Sequence, residues 1–341
     1  MPGIKLIVIG GSAGGLPALL DIVRGLPADL PVAICVAIHT SPYSPGRLPE
    51  VVDRQTQLPC LFAEDRQPIV PGQIYFAPVD RHLIIHDGVL RVTHGPRENG
   101  FRPAVDPLFR SAARAWGPRV AGIVLSGSLG DGSFGLACIK QSGGIAIVQN
   151  PDEAIVPSMP LSALRGVAID HVVGAAEMAA LIVELAKEES AEGAAMSSDA
   201  SRRDPAEHGT ELAAQTPPGK LTPLTCPECG GTLWEQEDEG QIRFRCHVGH
   251  GYNAESLLQY HSQEVEAALW TALRVLEEHA VLQERLSSRA ASQGLPAVAD
   301  QFHQRCVDSR RQAEALRAVL LSQPPSTLPA EQINAKVPYP K

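Results

Sequence analysis

The sequence predicts an α/β fold: a doubly wound, mostly parallel sheet with a small antiparallel insertion, followed by a small Cys/His module and an α-helical hairpin. Three observations carry this. Short β-branched runs alternate with helical stretches from Ile4 to about Ala186, the pattern of parallel strands covered by helices on both faces. Residues 188–222 lose that periodicity, and beyond them a cysteine cluster precedes two amphipathic segments. With 341 residues and 44% hydrophobic content, the chain can bury one large core and still have length for a second unit.

In order along the chain, strands are expected at Lys5–Ile9, Val32–Ile38, Gly72–Phe76, His82–His86, Val120–Leu125 and Gly144–Val148. Helices are expected at Gly14–Gly25, Gly46–Gln55, Ala104–Ala115, Gly132–Gln141, Met159–Arg165 and Ala175–Lys187. The stretch from Gly72 to Leu90 alternates apolar and polar residues and carries Asp87-Gly88, a hairpin-turn pair, so an antiparallel element inserted in the parallel sheet is expected there. Residues 188–222 are rich in Ala, Ser, Glu and Pro and lack aromatic residues, which reads as a flexible linker. After the cysteine cluster, Val265, Leu269, Ala272 and Leu276 recur at helical spacing, as do Val298, Phe302, Cys306, Ala313, Leu316 and Leu320. Gly294 and Pro296 punctuate the join of an αα-hairpin. The resulting division is an α/β domain over 1–188, a linker over 189–222, a Cys/His module over 223–253, a helical hairpin over 254–323 and a disordered tail over 324–341.

A net charge of −9 argues against a general nucleic-acid binder, which would show a basic excess. The acidity is uneven: residues 1–188 hold 15 Lys/Arg against 17 Asp/Glu, and residues 189–341 hold 14 against 21. The apolar run Leu6–Ile9 is short and enters a Gly-rich turn, unlike a signal peptide. No stretch approaches the roughly 18 continuous apolar residues of a membrane helix, so a cytoplasmic protein is expected. Of the seven cysteines, Cys35, Cys60, Cys138 and Cys306 are scattered, which suits thiols in a reducing compartment.

Gly10-Gly11-Ser12-Ala13-Gly14-Gly15 follows the first strand directly. As G-x-S-x-G it is a nucleophile elbow, presenting the Ser12 hydroxyl at the strand's carboxyl end. As a Gly-rich turn opening a helix it could instead cradle a dinucleotide, but Ser12 stands where the middle glycine of that fingerprint belongs, and His39 ends the second strand where an acidic residue is expected. A purely structural turn is the third reading. His39 shares the crevice at the strand ends with Ser12 and is a candidate base, the alternative being a hydrogen-bonded strand-end histidine. Asp131, in the turn Ser126–Gly132 after a later strand, is the candidate orienting acid, with helix capping as its alternative role. Asp106 competes from within a helix-like run. Exposed amides of the Gly127–Gly130 turn and near Ser12, those of Ala13, Ser128 and Leu129 among them, are oxyanion-hole candidates.

The order Ser, His, Asp matches neither the α/β-hydrolase nor the chymotrypsin arrangement. Over roughly residues 3–188 the chain resembles the catalytic domain of the bacterial chemotaxis CheB methylesterase family. The resemblance rests on Ile9–Gly15, on Ile38-His39 ahead of Ser41-Pro42, on Pro71–Pro78 with Arg81-His82-Leu83, on Arg102–Asp106 leading to Leu108-Phe109, and on Leu125–Gly132. It implies a catalytic domain over 1–188, with Ser12 as nucleophile, His39 as base and Asp131 as acid. It further implies hydrolysis of γ-glutamyl methyl esters on cytoplasmic chemoreceptor helices, and deamidation of glutamines there in some members, without a catalytic cofactor. The six arginines from Arg91 to Arg119 would then help hold acidic receptor helices, or simply form a solvated face. The family's best-known architecture begins with a receiver domain, whereas this sequence starts at the first catalytic strand, so activation by phosphorylation in cis is not expected. Ala13 stands where the family often has Thr, and Ser128 where a Met is common.

Cys226-Pro-Glu-Cys229, sixteen residues, then Cys246-His247-Val248-Gly249-His250 has the ligand types and knuckle spacing of a structural zinc site. Cys226, Cys229, Cys246 and His250 are the expected ligands. His247 is the alternative fourth, disfavoured because adjacent ligands strain a chelate, and three free thiols are the bland reading. With four protein ligands the metal would stabilise a fold too small to hold otherwise. The module and the helical hairpin together read as a partner-binding or self-association unit. Two other functions compete with the hydrolase: a regulatory interaction protein of weak turnover acting through these modules, and a nicotinamide-dependent enzyme.

Overall fold

The computed structural model describes residues 4–187, 219–238 and 241–322. The expected linker over 189–218 and the expected tail over 324–341 lie outside them. The chain divides into two compact units, Met1–Leu257 and Leu258–Lys341.

In the first unit the strands are β1 (Leu6–Gly11), β2 (Ala33–Ile38), β3 (Cys60–Phe62), β4 (Ile74–Phe76), β5 (His82–His86), β6 (Val89–Thr93), β7 (Val120–Val124), β8 (Ile145–Gln149) and β9 (His171–Val173). They alternate with α1 (Gly15–Arg24), α2 (Leu48–Asp53), α3 (Val105–Trp116), α4 (Ser133–Gln141), α5 (Ser158–Gly166) and α6 (Ala175–Lys187). A seven-stranded sheet runs in the order β3-β4-β2-β1-β7-β8-β9, and every pairing within it is parallel. The chain builds outward from β1 through β2, then crosses back to continue at β7. The order therefore reverses between β1 and β7, and the crevice outside their carboxyl ends is the topological switch point where such sheets bind ligands.

Burial explains the double winding. All six residues of β1 are buried, as expected of a central strand covered on both faces. Ile7 and Ile9 pack in one core with Leu19 and Ile22 of α1 and Met178 and Ile182 of α6. Leu6 and Val8 pack in the other with Leu108 and Phe109 of α3 and Leu136 of α4.

The antiparallel expectation needs correcting in part. Within Gly72–Leu90 the antiparallel pair is β5 with β6, a separate two-stranded sheet joined by Asp87-Gly88, whose φ values of 49° and 77° are those of a type I′ turn. Ile74–Phe76 instead lies in the parallel sheet between β2 and β3. All three of its residues are buried, which a half-exposed hairpin strand would not allow.

The same unit ends in a four-stranded antiparallel sheet, β10 (Lys220–Thr225), β11 (Thr232–Asp238), β12 (Gln241–Cys246) and β13 (Gly251–Asn253), in that order. Its first strand begins inside the stretch expected to be linker.

The second unit is a helical hairpin. α7 (Ala254–Ser292) and α8 (Pro296–Ser322) are joined at Gly294, which has φ 72°. Leu273, Ala280 and Ala290 on the first and Ala299, Cys306 and Ala313 on the second are buried. Ser309 Oγ donates to Gln283 Oε1 between them at 3.2 Å. Among the described residues no helix is long and apolar enough to cross a membrane.

Candidate active site

Three loops meet at the switch point. After β1 the chain turns sharply, with Gly15 N donating to Ser12 O at 2.9 Å and Gly14 at φ 78°, a conformation that strains any residue with a Cβ. The loop after β7 is pressed against this turn: Ser12 N donates to Ser126 O at 2.9 Å, and Ser126 Oγ donates to Ala13 O at 2.8 Å. A Cβ on Gly127 would fall 2.7 Å from Ser12 Cβ and 2.1 Å from Met159 Sδ, so only glycine permits this approach. The loop after β2 is tied in by His39 N, which donates to Gly11 O at 3.0 Å.

His39 is fixed on both sides. Its Nε2 lies 2.7 Å from Asp131 Oδ2, with the two side chains 3% and 0% exposed. Its ring stacks on Phe101 with centroids 3.7 Å apart and planes at 9°. Asp131 is held by the start of α3: Oδ2 accepts Val105 N at 2.6 Å and Oδ1 accepts Asp106 N at 3.1 Å, where unpaired helix amides favour an anion. Burial pushes the Asp131 carboxyl up, but the His39 hydrogen bond and charge, the Val105 amide and Asn99 outweigh it and hold the group below its ordinary value. An ionised Asp131 only accepts, so the proton between the two sits on His39 Nε2, and in the neutral ring the lone pair is on Nδ1. Nδ1 is buried without a hydrogen-bond partner.

The competing carboxylate has another job. Asp106 Oδ1 accepts Gly132 N at 3.1 Å and Gly135 N at 2.7 Å, capping α4, and no contact joins it to His39. Burial first, and then the charge of Asp131, push Asp106 up to about 6, with Arg243, Arg110 and the Gly135 amide pulling the other way.

A cleft of about 530 Å³ opens over these groups, lined by Ser12, Ala13, His39, Phe101, Arg97 and Arg102 among others. Ser128 and Leu129 are half-buried and do not line it. The Ser12 and Gly127 amides are already spent on Ser126 O and Val156 O. Of the oxyanion candidates, only Ala13 therefore borders the cleft. The arginine series does not form one acidic-helix surface either. Arg110 is buried on Glu98 and Arg91 pairs with Asp65; Arg97 and Arg102 line the cleft, and Arg102 is paired with Asp80 at 2.9 Å.

Comparison with known proteins decides the family. Residues 7–182 match the family model described as CheB methylesterase. The chain belongs to the CheB methylesterase family. A putative protein-glutamate methylesterase/protein-glutamine glutaminase of Leptospira interrogans is 34% identical over 182 residues, 53% of this chain and 94% of that protein. A protein-glutamate methylesterase/protein-glutamine glutaminase of Anaeromyxobacter dehalogenans is 35% identical over 184 residues. This chain spans about half the length of the latter, 54% of each being aligned. The crystal structure of the Thermotoga maritima CheB methylesterase catalytic domain superposes with a TM-score of 0.51 at 31% identity, covering 53% of this chain and 98% of that one.

Outside the CheB methylesterase match lies the cysteine cluster. One ligand atom each from Cys226, Cys229, Cys246 and His250 lie within 4.8 Å of one another. Cys229 Sγ is 3.6 Å from Cys246 Sγ, and His250 Nδ1 is 3.6 Å from Cys226 Sγ and 3.5 Å from Cys246 Sγ. A tetrahedral zinc with bonds of about 2.3 Å to sulfur and about 2.0–2.1 Å to nitrogen separates its ligands by roughly 3.5–3.8 Å, so this donor set fits one. Crowding pulls the Cys226 thiol down to about 3, first through the hydrogen bond from Cys246 and against the effect of burial. His250 Nε2 lies 3.3 Å from Glu228 Oε2, the kind of carboxylate contact that turns the other ring nitrogen toward a metal. His247 is exposed and outside the cluster.

Two residues that sequence reasoning missed complete the picture. Asn99 Nδ2 donates to Asp131 Oδ1 at 3.0 Å and to Asp106 Oδ2 at 3.1 Å. Glu98, 1% exposed, receives Arg110 Nη2 at 2.8 Å and Arg243 Nη2 at 2.9 Å. The only sequence signal there was Asn99-Gly100, a turn dipeptide.

Proposed function

We propose that the chain is a serine hydrolase that removes methyl groups from γ-glutamyl methyl esters, and amide nitrogen from glutamines, on a cytoplasmic chemoreceptor-like signalling protein. The observation that carries this is the His39–Asp131 pair, which leaves a buried imidazole lone pair beside the Ser12 turn. In the reaction His39 Nδ1 takes the Ser12 hydroxyl proton as Oγ adds to the ester carbonyl, and Asp131 stabilises the imidazolium that forms. The Ala13 amide is the donor at hand for the developing oxyanion. Collapse of the tetrahedral intermediate breaks the bond to methoxide, which leaves as methanol with the His39 proton. Water, deprotonated by His39 in turn, then releases the glutamate and regenerates Ser12. Arg97 gives the cleft positive charge suited to an acidic helix.

Cys226, Cys229, Cys246 and His250 hold a structural zinc, which as a closed site supplies folding energy rather than chemistry. The activity test is methanol release from a methylated receptor fragment. Ser12→Ala is expected to abolish it and to block labelling by a serine-reactive fluorophosphonate. Wild-type turnover in that variant would end the reading.

A further inference from the structure

The small antiparallel sheet reaches the catalytic acid. Asn99 is 1% exposed, and its side chain is shared among three partners. Its Nδ2 donates to Asp131 and Asp106, while its Oδ1 accepts Asn253 N, at the end of β13, at 2.8 Å. Its own amide donates to Gly251 O at 2.7 Å, and Gly251 N donates back to Arg97 O at 3.2 Å. Gly251 and Asn253 follow the ligand candidate His250 by one and three positions. The neighbouring Glu98 is clamped from the same sheet by Arg243 and Arg245, and Arg243 also lies over the Phe134 ring at 4.1 Å. Two residues beyond Asn99, Phe101 stacks on His39.

The segment Arg97–Phe101, closed on itself by the Glu98 and Phe101 amides, thus takes the backbone partners of Arg97 O and Asn99 N from β13 and much of its charge balance from β12. Removing them would leave Glu98 buried with Arg110 as its remaining partner, an arrangement a buried carboxylate does not tolerate well. Asn99 would lose both contacts that oppose its pull on Asp131. We propose that Asn99 is a positioning residue for Asp131 and that the cysteine-cluster sheet holds it there, so that metal loss from the cluster is transmitted to the active site. This rests on the reading of Asp131 as the acid that orients His39.

The test uses the full chain as isolated with zinc, and the zinc-stripped chain, acting on a peptide bearing a glutamyl γ-methyl ester. Asn99→Gly deletes the amide while tolerating the φ of 51° found there. Asn99→Asp keeps an acceptor for Asn253 N and, when ionised, cannot donate to Asp131. Each is expected to lower kcat about tenfold to a hundredfold, the worth of a hydrogen bond to a charged group, with KM within about twofold. A variant damaged only in stability would lose active enzyme, and a second denaturation midpoint measurement would show it.

Zinc removal from the wild-type chain should lower kcat similarly and speed amide hydrogen exchange in Arg97–Phe101. Zinc removal from Asn99→Gly should add little, because both changes cut the same connection. Full kcat in zinc-stripped wild type, full kcat in Asn99→Gly, unchanged exchange, or losses that multiply would each overturn the proposal. Failure of the hydrolase reading looks different: Ser12→Ala would then keep its turnover, whatever Asn99 does.

Discussion

Asp131 and Asp106 cap each other's helices: Asp131 accepts the first amides of α3, where Asp106 resides, and Asp106 accepts amides of Gly132 and Gly135 at the start of α4. Two buried carboxylates this close cannot both ionise freely. The environment separates them, since His39 and the α3 amides keep Asp131 charged while burial and Asp131 push Asp106 up to about 6.

The pH dependence of stability follows from that split. A carboxyl whose folded pKa lies above its unfolded value of 3.8 contributes stability present below the unfolded value and lost as pH rises through the folded one. Asp106→Asn removes this titration. The stability of wild type relative to that variant, from urea midpoints, should therefore improve on acidification from pH 7 to pH 4, by up to roughly 3 kcal/mol. A difference that stays flat, or runs the other way, would place the shared proton elsewhere.

Replacing Asp131 tests its proposed role as the acid that sets the His39 tautomer. In Asp131→Asn the side chain presents an amide that can donate to His39 Nε2, favouring a proton on Nδ1, where the base lone pair is needed. A fall in kcat of about 10⁴-fold is expected, with KM little changed. Asp106→Asn should lose far less, because Asp106 does not touch the imidazole. Comparable losses in the two variants would show that the pair acts as one unit.

The glycine at the meeting of two loops offers a steric test. Gly127→Ala places a methyl against Met159 Sδ and Ser12 Cβ, and the turn carrying Ser12 has to move. Overpacking of this kind costs about 1–3 kcal/mol, and kcat should fall by more than the stability loss explains. Gly127→Ala with Met159→Ala removes the 2.1 Å contact but leaves Ser12 Cβ 2.7 Å away and empties a fully buried site, so neither thermal midpoint nor turnover should return. Full recovery of kcat in the double variant would mean that Gly127 merely accommodates Met159.

What could be read from the sequence follows from where each signal resides. β1, β2 and β7 are continuous buried runs ending in turns that carry Ser12, His39 and Asp131, and the rule that strand ends share a crevice links them without coordinates. β3 and β9 have three half-buried residues each, too few for a period to emerge. Ile74–Phe76 was legible as a strand but not as a parallel one, because its partners are set by a crossover and not by its neighbours in sequence. Asn99 and Glu98 are fixed by contacts distant in sequence, with Asp131 and Arg110 and with β12 and β13, about 145 positions away along the chain in the case of Arg243. Nothing in residues 188–222 announces that docking.

The proposed metal ligands are separable by single substitutions. Adjacent Cys246 and His247 would have to bend toward one ion, whereas His250 returns to Cys246 through a knuckle in which Gly249 N donates to Cys246 O at 3.0 Å and Cys246 N to His250 O at 3.0 Å. That turn needs Gly249 at φ 104°. Metal analysis of protein kept from chelators should give about one zinc per chain for wild type and for His247→Ala, and well under one for His250→Ala and Cys229→Ser. The depleted variants should also lose cooperative unfolding of the antiparallel sheet, since the binding energy of such a site is folding energy. Zinc retained in His250→Ala but lost in His247→Ala would transfer the fourth ligand to His247 and require the knuckle to be rebuilt around it.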